Sequence, residues 1–548
     1  MDNGHTFNLI STPWLPVIRA SGRRGCIRPA DLTDGINADP ILDLDFSRAD
    51  FRCATFEFLI GLLTVACAPR DDWAGWWTQP PSKAELEIAF GQFEAVFNFD
   101  GEGSRAYQDY EDFATKPTPV EALLIEAPGA EAVKKNTAFL VKAGRVLVLS
   151  RRAAASALLT LQTVAPSGGR GYRPSLRGGG PLTTLVVLKA PITLWHRLWV
   201  NVPVGEKPPA SVGMPQIFPW LAPTCLSKPV TPEDVDWRLV FFGMPRRIRL
   251  DFTANVERSP CDLTGEIDSV IVRTFRTLPQ SVNYNAWGGR HPLTPHKRKP
   301  HDPGLYPVLG QDGHFGYRQW MALLYGDNDK LREPAACISL FTSHRKDDLP
   351  RDKRSFRLVA AGYAMVRGQA KVLSFIEAET PDITVPEDGS EAVAEKARDF
   401  VAAANEVAKA LGHAVKIALY GEDADKRIQR LNDTTPLTTA RDRFWVDTND
   451  RFFATLNAFS TMPAEELTGD AATPVARTWR AVMERAALAI FDDMAPMQDA
   501  LSPNVKRVVD GRRFLVRTLL GYGVRGVELF KHLQLPVPEI KTRKGKAA

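Results

Sequence analysis

Cysteine is sparse in this sequence. Its six residues in 548 (Cys26, Cys53, Cys67, Cys225, Cys261, Cys337) include no pair at C-x-x-C spacing. That excludes a disulfide framework and a zinc-finger pattern, and it favours a reducing compartment. Long apolar runs are also missing. The longest, Phe58 to Ala68, is too short to span a bilayer and reads as a buried helix. The opening Met1-Asp2-Asn3-Gly4-His5 has no basic region of the kind an export signal carries. A cytoplasmic protein with no membrane partner is therefore expected. There is no G-x-x-x-x-G-K-[ST] phosphate loop, no G-x-S-x-G nucleophile elbow and no H-E-x-x-H.

One sign of charge is absent from two long windows. From Ala132 to Gly205 there is no Asp or Glu, although eleven Lys and Arg lie there: Lys134, Lys135, Lys142, Arg145, Arg151, Arg152, Arg170, Arg173, Arg177, Lys189 and Arg197. From Ser269 to His301 the acids are again missing, with Arg273, Arg276, Arg290, Lys297, Arg298 and Lys299 present. One-signed stretches focus a positive potential that attracts polyanions. The alternative is that acids from elsewhere in the fold pair these cations, and the acidic flanks Glu94 to Glu131 and Glu377 to Asp399 are candidates.

Apolar residues make up 44% and charged residues 24%, ordinary values for a globular chain with a large core. The expected class is α+β: a large mixed N-terminal domain over 1–380, a linker over 381–389 rich in Pro, Asp and Glu, and a C-terminal four-helix bundle over 390–548. Strands are expected in 1–30, 181–188 and 238–252, a hairpin in 267–290, and strand–turn–strand from Leu358 to Phe375 around Arg367-Gly368-Gln369. Helices are expected over 50–68, 84–99 and 153–163. In the bundle, Phe400, Val407 and Leu411, then Phe452 and Leu456, then Trp479, Met483 and Ile490, then Val508, Leu515 and Leu519 form the inward faces of four helices.

Ser167 to Gly180 holds six glycines. That density predicts a loop whose backbone takes positive φ or approaches something closely. His291, His296 and His301, with Asn285 nearby, are the sharpest catalytic candidates and would suit a metal-dependent nuclease. A hydrolytic metal site normally needs carboxylate ligands. None lies in this window, and Lys297-Arg298-Lys299 would repel a cation. No metal and no catalytic residue are expected.

The stretch Ala165-Pro166-Ser167-Gly168-Gly169-Arg170-Gly171-Tyr172-Arg173-Pro174 and its continuation to Thr184 resembles the glycine loop of a known family, the large subunit of the type I-E Cascade complex, often called CasA, which acts in CRISPR RNA-guided interference. Phe7-Asn8-Leu9-Ile10 with Pro13-Trp14-Leu15-Pro16-Val17 is similar to that family's N-terminal signature, and Asn136 to Val141 to its RNA-handle loop. Asn285-Ala286-Trp287 with His291-Pro292 resembles the segment after its basic hairpin, and Gly362-Tyr363 with Gly368-Gln369-Ala370 its glutamine-wedge hairpin. The resemblance spans the whole chain, and the glycine loop is its specific part.

The resemblance implies a non-enzymatic subunit without cofactor. Its partners would be crRNA, the other Cascade subunits, target double-stranded DNA and the CRISPR helicase-nuclease. The subunit would recognise the protospacer-adjacent motif (PAM) and wedge the strands apart to begin the R-loop. On that basis Gly168, Gly169, Arg170, Gly171, Arg276 and Gln369 are expected at the PAM. Phe139, Leu140, Val141 and Lys142 are expected at the crRNA handle. Arg151, Arg152, Arg177, Lys297, Arg298 and Lys299 are expected on phosphates. The family's hairpin carries a lysine where Arg276, or next best Arg273, stands here. Arg170 replaces a small or apolar position of the loop. Some members carry a cysteine cluster suggesting zinc, of which only Cys225 and Cys261 lie in that region here. The rival readings are the histidine nuclease and a helical scaffold that binds only proteins.

Overall fold

The computed structural model describes residues 6–539 except 70–72, 139–140, 170, 190–192, 210, 227, 286, 314, 327–330, 367–370, 385–389, 422–434, 464–465, 467–471 and 497–504. The chain divides into two compact units. One comprises Met1–Asp312 with Leu331–Glu379, and the other Gly313–Lys330 with Thr380–Ala548.

The first unit is built around the helix Ala49–Cys67, which is buried without interruption from Ala54 onwards. The apolar run from Phe58 to Cys67 therefore forms part of a core helix that is hydrophobic on every side, with Ala68 as its C-cap. Phe58 meets Trp14, Phe97 and Tyr107 edge-on at 5.7, 5.9 and 6.4 Å. Gly61 lies where a Cβ would stand 2.5 Å from Phe241 Cβ, so no larger residue fits that crossing. The helix Arg151–Val164 starts where Ser150 Oγ accepts the Ala153 N–H at 3.2 Å and stops before Pro166.

One antiparallel sheet runs Val372–Glu379, Phe356–Met365, Thr183–Leu188, with Tyr363 opposite Phe375 and Val359 opposite Leu185. A second sheet is centred on Val270–Leu278, which pairs antiparallel with Arg247–Ala254, Thr118–Pro119 and Leu149–Ser150. The expected hairpin over 267–290 is corrected here. Val270–Leu278 forms its hairpin backwards, with Arg247–Ala254, and residues 279–290 contribute no second strand. The stretch expected as strand over 238–252 begins as a 3-10 turn, Trp237–Phe241, and only Arg247–Ala254 is strand. Helix over 84–99 ends at Gly91, followed by a 3-10 turn.

The second unit is helical, with long helices Ser390–Tyr420, Thr435–Ser460, Thr473–Met494 and Val505–Leu519 among the described residues. The expected inward residues Phe400, Leu411, Phe452, Leu456, Trp479, Met483, Ile490, Leu515 and Leu519 are buried. The helix Tyr317–Tyr325 belongs to this unit, although the sequence places it far upstream. Tyr317 stacks on Phe452 at 4.2 Å and its hydroxyl lies 3.0 Å from Thr448 Oγ1. Residues 385–389 of the expected linker lie outside the described residues. Among the described residues no helix is long and apolar enough to cross a membrane.

Candidate nucleic-acid interface

The glycine loop begins where the helix Arg151–Val164 ends. Gly168 N–H donates to the Tyr172 carbonyl at 3.1 Å, and Tyr172 N–H donates to the Gly169 carbonyl at 3.1 Å. Gly169, Gly171, Gly178 and Gly180 have φ between +67° and +87°, a region that residues with a Cβ rarely enter. Most of these glycines are held from inside. A Cβ on Gly168 would sit 2.7 Å from Tyr172 Cβ, and one on Gly171 2.8 Å from Pro279 Cβ. At Gly180 it would collide with the Tyr363 carbonyl. The Gly171 carbonyl accepts the Gln280 N–H at 2.9 Å, tying the loop to the end of strand Val270–Leu278. Gly169 differs. It is exposed and nothing lies within 4 Å of its Cβ position. Its surface is open to solvent, while its carbonyl is held by the Tyr172 N–H. Arg170 lies outside the described residues.

Acids far away in sequence pair several cations of the two acid-free windows, the alternative reading of the charge pattern. Arg151 bridges Asp100 at 3.0 Å and Asp268 at 2.8 Å, with its side chain 13% exposed. Arg152 bridges Glu266 and reaches Cys26 Sγ. Arg177 is fully inside, bonded to Glu57 and, at 2.8 Å, to Thr294 Oγ1. These three arginines, expected on phosphates, are committed to carboxylates within the fold. Asp100 belongs to the flank Glu94 to Glu131 that the sequence offers as a partner, whereas Glu57, Glu266 and Asp268 lie outside both acidic flanks. Arg276 is also partnered, through Nε to Asp251 at 3.2 Å and through Nη1 to the Thr115 carbonyl.

The strand His296–Lys299 carries a more open group. Arg290 and Arg298 share the single carboxylate of Glu333, at 2.6 and 3.0 Å. Lys299 lies over the Tyr306 ring at 4.0 Å and 3.9 Å from Asp302. Lys297 stands beside them on the same strand and has an interaction of its own. Among the described residues, Glu333 serves Arg290 and Arg298 here, and Asp302 lies beside Lys299.

The histidines do not assemble into a metal site. His291 and His296 are buried and His301 is exposed. His291 Nδ1 accepts the Leu293 N–H at 3.2 Å, and His296 Nε2 accepts the His291 N–H at 3.4 Å. Burial pushes His296 down to about 4 and also holds His291 well below the usual histidine range, with Arg290 adding to the effect at His296 and Arg177 at both. Both are neutral rings that satisfy backbone donors. Among the described residues no group of three or more His, Cys, Asp or Glu is placed to hold a metal ion.

In the expected RNA-handle segment, Val141 is half-buried and Lys142 exposed, with Nζ donating to the Ala138 carbonyl at 3.0 Å. Phe139 and Leu140 lie outside the described residues. So does Gln369. The strands that lead to it pair Ala364 with Ser374, shift register by one residue, and then set Met365 opposite Val372, with the Val366 N–H on the Lys371 carbonyl at 2.9 Å.

Residues 8–490 match the family described as CRISPR-associated protein Cse1. The chain belongs to the Cse1 family. This is the type I-E Cascade large subunit that the glycine loop resembles. Solved Cse1 structures share the fold. Thermobifida fusca Cse1 is 17% identical with a TM-score of 0.69, covering 96% of this chain and 98% of that one. Thermus thermophilus CasA is 18% identical with a TM-score of 0.66, covering 94% and 100%. A chain of a CRISPR RNA-guided surveillance complex is 16% identical with a TM-score of 0.68, covering 93% and 99%. No curated protein matches the chain.

At such low identity a Cse1 fold is held by contacts rather than by shared words of sequence. Two residues that shape the glycine loop, Glu57 and Arg246, carry no motif. Glu57 reads as one acid in an apolar helix. That acid is the only local signal, since a carboxylate inside a core helix needs a cation. Arg246 lies outside both acid-free windows and 80 residues from its loop partner Pro166.

Proposed function

We propose that this Cse1-family chain is the DNA-recognising large subunit of a type I-E Cascade, a cytoplasmic RNA-guided surveillance complex for antiviral defence. The glycine loop would lie against the minor groove of double-stranded DNA and read the PAM. Gln369 would insert beneath the last PAM base pair to begin strand separation. The minor groove presents a degenerate pattern, so several related motifs would be accepted. Unstacking a step costs a few kcal/mol, which phosphate contacts must offset. Lys297, Arg298 and Lys299 are the cations proposed for that task, and Arg276 is proposed at the PAM. Phe139, Leu140, Val141 and Lys142 would receive the crRNA handle by apolar contact and stacking. The chain would carry no catalytic step. The helicase-nuclease it helps recruit would cut.

The observation that carries this reading is Gly169, exposed and with an open Cβ direction in a loop whose Gly168, Gly171 and Gly180 are closely packed. The wedge is tested by Gln369→Ala in the assembled complex. The expected result is strand opening slowed much more than PAM binding is weakened. Equal loss in both rejects the wedge. Co-purification tests the setting, and recovery of this chain without RNA or other Cascade subunits would contradict it.

A further inference from the structure

Two buried arginines hold the glycine loop, and their charges are treated differently. Arg177 is neutralised by Glu57. Arg246 is just as enclosed, at 6% exposure, and has no carboxylate partner among the described residues. Its backbone is fixed by Gln162, whose Oε1 accepts the Arg246 N–H at 2.9 Å and whose Nε2 donates to the Arg246 carbonyl at 3.0 Å. Its guanidinium donates through Nη2 to the Pro166 carbonyl and lies 5.5 Å from the centre of the Tyr172 ring. Nη1 is buried and makes no hydrogen bond. A Cβ on Gly168 would come within 2.9 Å of that atom, so the cation directly underlies the loop. Burial lowers its pKa only to about 10, which leaves it protonated at neutral pH.

A buried charge without a counter-ion destabilises a fold and calls for compensation. We infer that Arg246 is the positioning residue of the glycine loop: it underlies Pro166, Gly168 and Tyr172 and keeps an uncompensated positive charge behind the loop, which a nucleic-acid phosphodiester on the outer side neutralises. The inference rests on the proposed role of the loop and goes beyond it by assigning the field to a residue that never touches the nucleic acid. Because the charge is buried, its attraction is screened less by salt than that of a surface lysine.

The test measures binding of the full-length chain to a labelled DNA duplex over a range of salt, with thermal melting of every variant. Arg246→Met keeps the stem and removes the charge. It is expected to weaken duplex binding on the order of tenfold at about 0.1 M salt without lowering the melting temperature. Arg246→Lys keeps the charge and is expected to bind within about twofold of the parent. Unchanged binding by Arg246→Met overturns the inference, as does Arg246→Lys binding as weakly as Arg246→Met with both folded. If Arg246→Met does not fold, Arg246→Lys decides: retained affinity supports the inference and a tenfold loss overturns it. Gly169→Asp forms the separate arm. If it weakens binding while Arg246→Met does not, only this inference fails. If it changes nothing, the loop is not the interface and both readings fall.

Discussion

Arg177 and Glu57 form an ion pair inside the first unit, each side chain 4% exposed, joining the glycine loop to the central helix Ala49–Cys67. Thr183 and Thr294 complete the hydrogen bonding around it. Breaking such a pair from one side leaves a bare buried charge. Arg177→Met is therefore expected to cost about 3–5 kcal/mol, and combining it with Glu57→Gln to recover much of that loss. Denaturant unfolding of the two variants checks this. A cost under about 1 kcal/mol would place Arg177 at the surface, where the charge pattern alone would put it.

His296 sets an acid limit on stability. An unfolded histidine titrates near 6.5, and burial holds His296 at about 4 in the folded chain. Between those values the unfolded chain binds a proton that the folded chain refuses. Stability is then flat above pH 6.5 and falls as pH drops toward 4, by about 3 kcal/mol for this residue at most. His291 shifts the same way and adds to the fall. His296→Gln is expected to flatten the dependence over that window, read from unfolding free energies at several pH values. An unchanged slope would contradict the assignment.

The loop glycines are not equivalent. Gly169→Ala meets no atom within 4 Å and bears only the strain of its positive φ, about 1–2 kcal/mol. Gly180→Ala bears the same strain and also drives its Cβ into the Tyr363 carbonyl, so it is expected to cost at least about 2 kcal/mol more. Comparing the unfolding midpoints of the two variants checks the ranking.

Much of this fold is legible in sequence where periodicity is local. The hairpin Phe356–Met365 with Val372–Glu379 and the inward faces of the long helices follow from apolar spacing. The glycine loop is legible because six glycines leave few alternatives. What the residue order hides is long-range pairing. Arg151 finds Asp268 across 117 positions and Arg177 finds Glu57 across 120, so windows that read as bare positive charge are largely neutralised in space. Val270–Leu278 likewise turns to the strand before it, because Arg247–Ala254 offers the matching register.

The strand His296–Lys299 carries the cations proposed for phosphates, Lys297, Arg298 and Lys299. Neutralising Lys297 and Lys299 together is expected to weaken binding to all DNA sequences alike and to lower the salt slope by about one unit for each phosphate the strand no longer neutralises. Arg298→Gln is expected to do less, because Glu333 keeps Arg290 and the net charge changes around a shared carboxylate. Affinities at four or five salt concentrations separate the cases. An unchanged slope in the double variant would remove this strand from the interface.

The most direct measurement is a structure of the assembled complex on duplex DNA carrying its recognised motif. Backbone atoms of Gly168 to Gly171 are expected within hydrogen-bonding reach, about 3 Å, of a base edge or phosphate, with Gly169 foremost. A complex in which motif-bearing DNA is engaged while no nucleotide comes within about 10 Å of that loop, beyond one Debye length at ordinary salt, would contradict it.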